Sequence, residues 1–376
     1  AWRLTGNETQ SSLSGGSAAW VAQWPSEWPT RGPPASDLHL AALKPHHYLP
    51  SRRLASTLLL HASDASSPHR STSAEGLVTR PRRVIPGEVL MGTRRCLRRC
   101  FLLRPDGVTT RVFKYLLARA ARLSGVLIHE FQVLSNHYHI VFSDPRGQRS
   151  VFFRELNSLL ARAVNAAFGE WETFFAPGSY NAVVLADGDT LEQKCLYTLC
   201  NVVKDGLVSH PARWEGANSW SMEYGKPEYI SRPKTGFFTE KGMLEVEVLV
   251  LVRPEALYPE LNDKEVRARL RERATERSHA YVKKLRKKGG AVMGMARVRK
   301  QPRDSSPQTR APRRGIRPTF AGANKWARIE ALQRNAEFLA DHEAARLEFE
   351  KGNRDVRFPI GTYLMVQRYG VAVVSN

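Results

Sequence analysis

The sequence predicts an α+β fold: an antiparallel sheet with helices, followed by a basic, mostly helical C-terminal extension. Three observations predict it. Strand-like and helix-like segments alternate between residues 80 and 225, with a hairpin at the centre. Gly, Pro, Asn and Asp punctuate the junctions. Beyond residue 261 the sequence turns into Arg- and Lys-rich helical runs.

The folded region begins at Arg80-Pro-Arg-Arg-Val-Ile-Pro-Gly. A first strand is expected from Glu88 to about Arg95 and a second from Arg98 to Leu103. After Pro105-Asp-Gly107, the stretch Thr110–Ser124 places Val112, Phe113, Leu116, Leu117, Ala120 and Ala121 on one helical stripe, and Gly125 ends it. Val126–Val133 and His137–Phe142 are apolar runs joined by Leu134-Ser-Asn136, a hairpin pattern. Ser150–Phe168 reads as a helix stopped by Gly169, and Phe174–Leu185 as extended chain. Asp187-Gly-Asp189 introduces a third helix, Thr190 to about Lys204. Strand, helix, hairpin and helix in this order describe a ferredoxin-like sheet.

Leu244–Val252 alternates as a separate strand. Asn262, with Glu265 three residues on, caps a helix running to about Lys288, and Gly289-Gly290 ends it. Residues 297–318 form a basic, Pro-containing linker, and Asn324 to Lys351 is a further amphipathic helix. The expected organisation is therefore a disordered or spurious N-terminal extension (1–79), a core domain (80–225), a connecting strand segment (226–261) and a basic helical extension (262–376). Residues 1–79 are Ser-, Pro-, Gly- and Trp-rich without a charged-then-apolar leader, and receive no function.

Lys and Arg number 57 against 36 Asp and Glu among 376 residues, a formal net charge of +21. This excess favours a polyanionic partner, nucleic acid before membrane, since no run of about 18 apolar residues occurs. Four cysteines are too few for a disulfide scaffold and point to a reducing compartment. Cys195 and Cys200 lie about 500° apart around a helix, so they diverge, and small buried residues are the expected role.

Two short motifs carry candidate chemistry. In His137-Tyr138-His139 the strand alternation puts both imidazoles on one face, where they can share one divalent ion. Most such pairs are simply hydrogen-bonded structural residues. Tyr197 and Asn201 are four apart and share a helix face: a hydroxyl nucleophile beside a hard oxygen ligand suited to magnesium or manganese. This pattern also recurs by chance, and Gln193, one turn earlier, is a competing candidate on that face.

Together these segments resemble a known family. Asn136-His137-Tyr138-His139-Ile-Val-Phe, the helix from Leu156 to Gly169, and Tyr197-Thr-Leu-Cys-Asn201-Val-Val-Lys-Asp-Gly-Leu-Val-Ser-His-Pro-Ala-Arg-Trp214 occur in order. The set resembles the HUH single-tyrosine transposases of the insertion-sequence 200/605 type. It is most similar to their REP-associated relatives, whose Tyr helix reads approximately YxxxNPVxAGLVxxPxxW. The resemblance covers about residues 80–225, and the C-terminal Asn324-Lys-Trp and Phe358-Pro-Ile-Gly-Thr-Tyr pieces are similar to the tail of one subgroup. It implies that Tyr197 is the nucleophile, that His137, His139 and Asn201 hold one Mg²⁺ or Mn²⁺, and that the partner is single-stranded or hairpin DNA. Val202 departs from the pattern, where Pro is usual, and puts the placement of Asn201 in question.

A free tyrosine has a pKa of about 10, so ionising it near pH 7 costs roughly 4 kcal/mol. A divalent cation on the scissile phosphate offsets that barrier, and exchange of one phosphoester for another keeps the join reversible without ATP. Arg94, Arg95, Arg98 and Arg99 near the first strands, with Arg154 and Arg162 on the second helix, are the expected phosphate contacts. Trp214 and Trp220 either stack on unpaired bases or pack in the core. The implied protein is a monomer or homodimer, cytoplasmic in a bacterium and associated with the nucleoid. A non-cleaving, domesticated hairpin-binding protein and a replication- or relaxase-type nickase are the alternatives. The latter normally accompanies a helicase, and no GxxxxGK[ST] phosphate loop is present.

Overall fold

Strand β1 (Glu88–Arg95) leads through a short turn to helix α1 (Gly107–Ser124), strands β2 (Leu127–Val133) and β3 (His137–Asp144), helix α2 (Arg149–Phe168), strand β4 (Asn181–Leu185) and helix α3 (Gly188–Lys204). These elements come from a computed structural model, which describes residues 81–178, 180–239, 242–309 and 318–374. The expected N-terminal extension, 1–79, lies outside the described residues, as do Arg80 and the stretch 310–317 of the expected linker.

The sheet order is β2-β3-β1-β4, with β1 antiparallel to both β3 and β4 and β2 antiparallel to β3. With the sequence β-α-β-β-α-β, this is the ferredoxin-like arrangement the element order predicts. A fifth strand, β7 (Phe320–Ala321), adds parallel to β4, so the sheet is mixed. The fold is α+β throughout.

Local chemistry sets the element ends. Asp106 and Asp187 accept from Thr109 and Thr190 backbone N–H groups to start α1 and α3, and Gly125 in the left-handed region ends α1. Tyr138, Ile140 and Phe142 of β3 enter the face covered by α1 and α2. There Tyr138 stands edge-on to Phe113 and bonds Asn157, and Phe142 packs on Phe152 and Phe153. Gly92 of β1 lets this layer close, because a Cβ there would lie 2.3 Å from the Phe153 ring. Each large apolar side chain fully buried in this way contributes about 1.5–3 kcal/mol.

The expected strand Arg98–Leu103 is a correction. Leu97–Arg99 forms a single 3-10 turn with φ of 47° at Arg98 and 64° at Arg99. Cys96 and Leu97 still donate to the carbonyls of Asn136 and Phe174, and the left-handed backbone at Arg98 and Arg99 then turns the chain out of the strand. Of the extended run Phe174–Leu185, only Asn181–Leu185 pairs as a strand, apart from one Cys96–Phe175 bridge.

Beyond α3, strand β5 (Pro227–Ser231) pairs with β6 (Val246–Val250) in a separate ribbon. Helix α4 (Asp263–Lys287) starts with the expected Asn262–Glu265 capping box and packs along α3. Its Val266, Leu270 and Ala274 join the same apolar core as the sheet. Arg267 of α4 and Glu130 of β2 form an ion pair with both side chains wholly buried, and Tyr224 and Ser219 donate to the same carboxylate. Short helix α5 (Met295–Lys300), β7 and the long helix α6 (Lys325–Glu350) follow, and α7 (Leu364–Tyr369) closes the described chain. All of this belongs to one unit, Ala74–Asn376. Among the described residues, no helix is long and apolar enough to cross a membrane.

Candidate active site

On the sheet face opposite α1 and α2, His137 and His139 project from β3 toward α3. Strand alternation alone produces this, since Tyr138 between them is buried on the other side. Their rings are 4.8 Å apart, centre to centre. The neighbouring strand contributes Thr93, opposite His139 in register, and Arg95, opposite His137.

Helix α3 brings Tyr197 and Asn201 to the same place. The Tyr197 ring stands edge-on to His139, with centroids 5.3 Å apart. Asn201 is 1% exposed, and its Nδ2 lies 3.3 Å from His137 Nε2. Val202 does not divert it: α3 continues to Lys204, and Val202 packs in an apolar cluster with Leu134, Trp214 and Val282. Gln193 turns away, accepting from Arg277 of α4.

Both imidazoles are held from behind. His137 Nδ1 lies 2.6 Å from Asn136 Oδ1, so it carries the proton and donates, which leaves Nε2 with a lone pair. His139 Nδ1 meets Thr93 Oγ1 at 2.8 Å, whereas its buried Nε2 has no hydrogen-bond partner. Burial, with Lys204, Arg95 and Arg99 nearby, holds His137 down at about 4. Burial, His137 and two lysines hold His139 well below the ordinary histidine range. Near neutral pH both rings are therefore neutral and able to ligate.

An orphaned buried Nε2, a second Nε2 and an amide would suit one divalent cation if the Asn201 amide were flipped to offer its oxygen in place of Nδ2. Thr93 and Asn136 orient the two rings in the way outer partners of metal-ligating histidines do. Among the described residues, no group of three or more His, Cys, Asp or Glu could hold a metal; the donor set here draws instead on an amide.

Lys204, missed by the sequence reading, places its Nζ 3.4 Å from the Tyr197 hydroxyl and 4.8 Å from its ring centre. Lys194 approaches the same ring at 5.9 Å. Positions 194, 197, 201 and 204 follow helical spacing, a signal that would have found both lysines. Thr93 and Asn136 needed the strand register and the hairpin geometry.

The expected arginines separate. Arg95 and Arg99 line a cavity of about 880 Å³ together with Thr93, Asn136 and His137. The stretch Gln301–Thr309 forms its far side, where Thr309 accepts from Arg99. Arg98 is exposed beside it. Arg94 points elsewhere, over the Phe175 ring and onto the Gly178 carbonyl. Arg154 and Arg162 stand exposed on α2, across the sheet from the histidines, and Arg162 lies over Phe237. Trp214 is a core residue whose Nε1 donates to the Val133 carbonyl. The four cysteines are free thiols, with Cys96, Cys195 and Cys200 pushed upward by burial.

Neither a family model nor a curated protein matches the chain. Two solved structures are similar in part. A REP-associated tyrosine transposase bound to a REP hairpin is 18% identical over 38% of this chain and 82% of its own, with a TM-score of 0.33. A Deinococcus radiodurans R1 protein assigned as a transposase is 17% identical over 28% of this chain and 85% of its own, with a TM-score of 0.23. At that overlap the two neighbours define neither the family nor the chemistry of this chain.

Proposed function

We propose that this protein is a single-tyrosine DNA strand transferase, a transposase of the HUH type, acting on single-stranded or hairpin DNA. The observation that carries the reading is the meeting of Tyr197 with His139, whose second ring nitrogen is buried, neutral and unpartnered. His137, His139 and Asn201 would hold one Mg²⁺ or Mn²⁺. Bound there, the ion would polarise the scissile phosphate and neutralise its developing charge.

The chain's own residues do the rest. Arg95 and Arg99 draw the strand into the cavity beside His137. The α3 helix presents the Tyr197 hydroxyl, and Lys204 holds a positive charge against it as the phenol gives up its proton. The Tyr197 oxygen attacks phosphorus as the bond from phosphorus to the 3′ oxygen breaks. The products are a 5′-phosphotyrosine and a strand ending in a free 3′-OH, which takes up a proton. Attack by another 3′-OH reverses the step and rejoins DNA.

The test is a denaturing gel of protein incubated with hairpin-bearing single strands in Mn²⁺ or Mg²⁺. A label at the 3′ end should travel with the protein and a label at the 5′ end should be released. Tyr197→Phe should form no adduct. Wild type forming no more adduct than Tyr197→Phe on substrates it binds would leave a non-cleaving hairpin-binding protein as the reading.

A further inference from the structure

Two lysines of α3 converge on the nucleophile. Lys204 comes from the C-terminal side, with its Nζ 3.4 Å from the Tyr197 hydroxyl. Lys194, one turn before Tyr197, comes from the N-terminal side, with its Nζ 5.9 Å from the ring centre. The two differ in setting: Lys204 is exposed, whereas Lys194 is half-buried.

Among the described residues, Lys194 takes no carboxylate and no hydrogen-bond partner. The nearest acid in the sequence, Glu192, is held by Arg273 and Tyr258. An ammonium drawn partly out of water without an anion is costly, and burial pulls Lys194 below the ordinary lysine range. An arriving anion relieves that cost. The Lys194 charge also bears on His139, which it helps to hold neutral. The Tyr197 and His139 rings are themselves only 5.3 Å apart, centre to centre. Lys194 therefore stands beside both halves of the site, the nucleophile and the paired imidazoles.

In a transfer of DNA onto Tyr197, the group that must lie against both halves is the scissile phosphate. We infer that Lys194 is a catalytic residue whose ammonium contacts that phosphate and offsets the charge gathering on its non-bridging oxygens. The assignment rests on the strand-transferase reading and divides the labour of the two lysines. Lys204 serves the oxygen that attacks, and Lys194 serves the phosphate that is attacked. Lys194 neither gives nor takes a proton. The bond from phosphorus to the Tyr197 oxygen forms as the bond to the 3′ oxygen breaks, and the ammonium is unchanged at the end. The same contact serves the reverse step, because the phosphate stays on Tyr197 between the two. A lysine suits this task as a compact point charge on a flexible stem.

The test uses full-length protein, a fluorescent hairpin-bearing single strand and Mn²⁺, with two readouts. The first sets the rate of adduct formation at saturating strand beside strand affinity from anisotropy. Lys194→Met should lose on the order of 100-fold in the saturated rate, as removal of one preorganised charge at a reacting centre does. Its affinity near 0.1 M salt should fall by about 10-fold at most, the worth of one phosphate contact. The melting temperature should stay where it is, and Lys194→Arg should regain part of the rate. An unchanged saturated rate in Lys194→Met overturns the assignment, whatever happens to affinity. The second readout needs no chemistry and no change at Lys194. In Tyr197→Phe, acetylation of Lys194 by acetic anhydride is followed by mass spectrometry and should be lost when the strand binds. Undiminished acetylation with the strand bound overturns the contact. Shielding of Lys194 with no adduct from wild type sinks the strand-transferase reading while upholding the contact.

Discussion

Replacing Arg267 with Met tests how α4 is fastened to the five-stranded sheet. Arg267 and Glu130 are an ion pair with no solvent contact, and Arg267 also donates to the carbonyls of Met222 and Ser219. Arg267→Met fills much of the same volume but strands a buried carboxylate, which keeps only Tyr224 and Ser219 as donors. Breaking such a pair by removing one partner costs about 3–5 kcal/mol, out of a total stability of about 5–15 kcal/mol. Glu130→Gln strands the guanidinium instead and should cost a similar amount. Glu130→Gln/Arg267→Met leaves no unpaired charge, so it should cost less than the two changes summed, by about 2–3 kcal/mol. Urea unfolding of the four proteins, with equal m-values, gives each difference from the midpoints. A cost below about 1 kcal/mol for Arg267→Met, or strict additivity of the two changes, would refute the reasoning.

Three further outcomes follow from the site and its surroundings. His129 is buried, bonded to the Val252 carbonyl and Ser143, and burial holds it down at about 4. Between pH 6.5 and 4 the unfolded chain binds the proton first, so stability falls as pH falls, by about 1.4 kcal/mol per unit and about 3 in total. His137 and His139 act in the same direction, so the His129 share is read as the difference between wild type and His129→Gln in urea unfolding at pH 7 and pH 5; parallel losses would sink it. Thr93→Val frees the His139 ring and should weaken Mn²⁺ binding by about 10-fold or more in calorimetry, with the fold intact by circular dichroism. Unchanged affinity would deny His139 a ligand's role. Lys204→Met should slow adduct formation at saturating DNA, and Lys204→Arg should restore part of the rate. Equal rates in all three proteins would remove Lys204 from the chemistry.

Much of the fold was legible because its signals are local. The apolar stripe of α1, the Gly125 and Gly169 stops and the Asn262–Glu265 box each depend on residues within a turn or two. Legible, too, was the convergence of His137 and His139 on one face, since it follows from strand alternation. What escaped depends on distant partners. Residues 98–103 have strand-like composition, yet the chain turns away at left-handed Arg98 and Arg99, just after Cys96 and Leu97 donate to the carbonyls of Asn136 and Phe174. The pairing of β7 with β4 joins positions more than a hundred residues apart, through a strand of two residues. In the site, Thr93 was invisible until the β1–β3 register set it against His139. Which of the six arginines stand near the histidines also depended on the fold: Arg95 and Arg99 line the cavity beside His137, whereas strand and helix faces send Arg94, Arg154 and Arg162 elsewhere.

The short strand β7 has a consequence out of proportion to its length. Along the outer side of β4, Val184 and Ala186 donate to the carbonyls of Thr319 and Ala321. At the opposite margin, β2 is engaged by Ala217, Ser219 and Val252. Among the described residues both rims of the sheet are thereby partly covered, which leaves less bare ladder for a foreign strand to extend. Shortening the chain before Thr319 would do more than remove the C-terminal helices. It would expose the β4 rim, and the shortened protein would be prone to self-association through it.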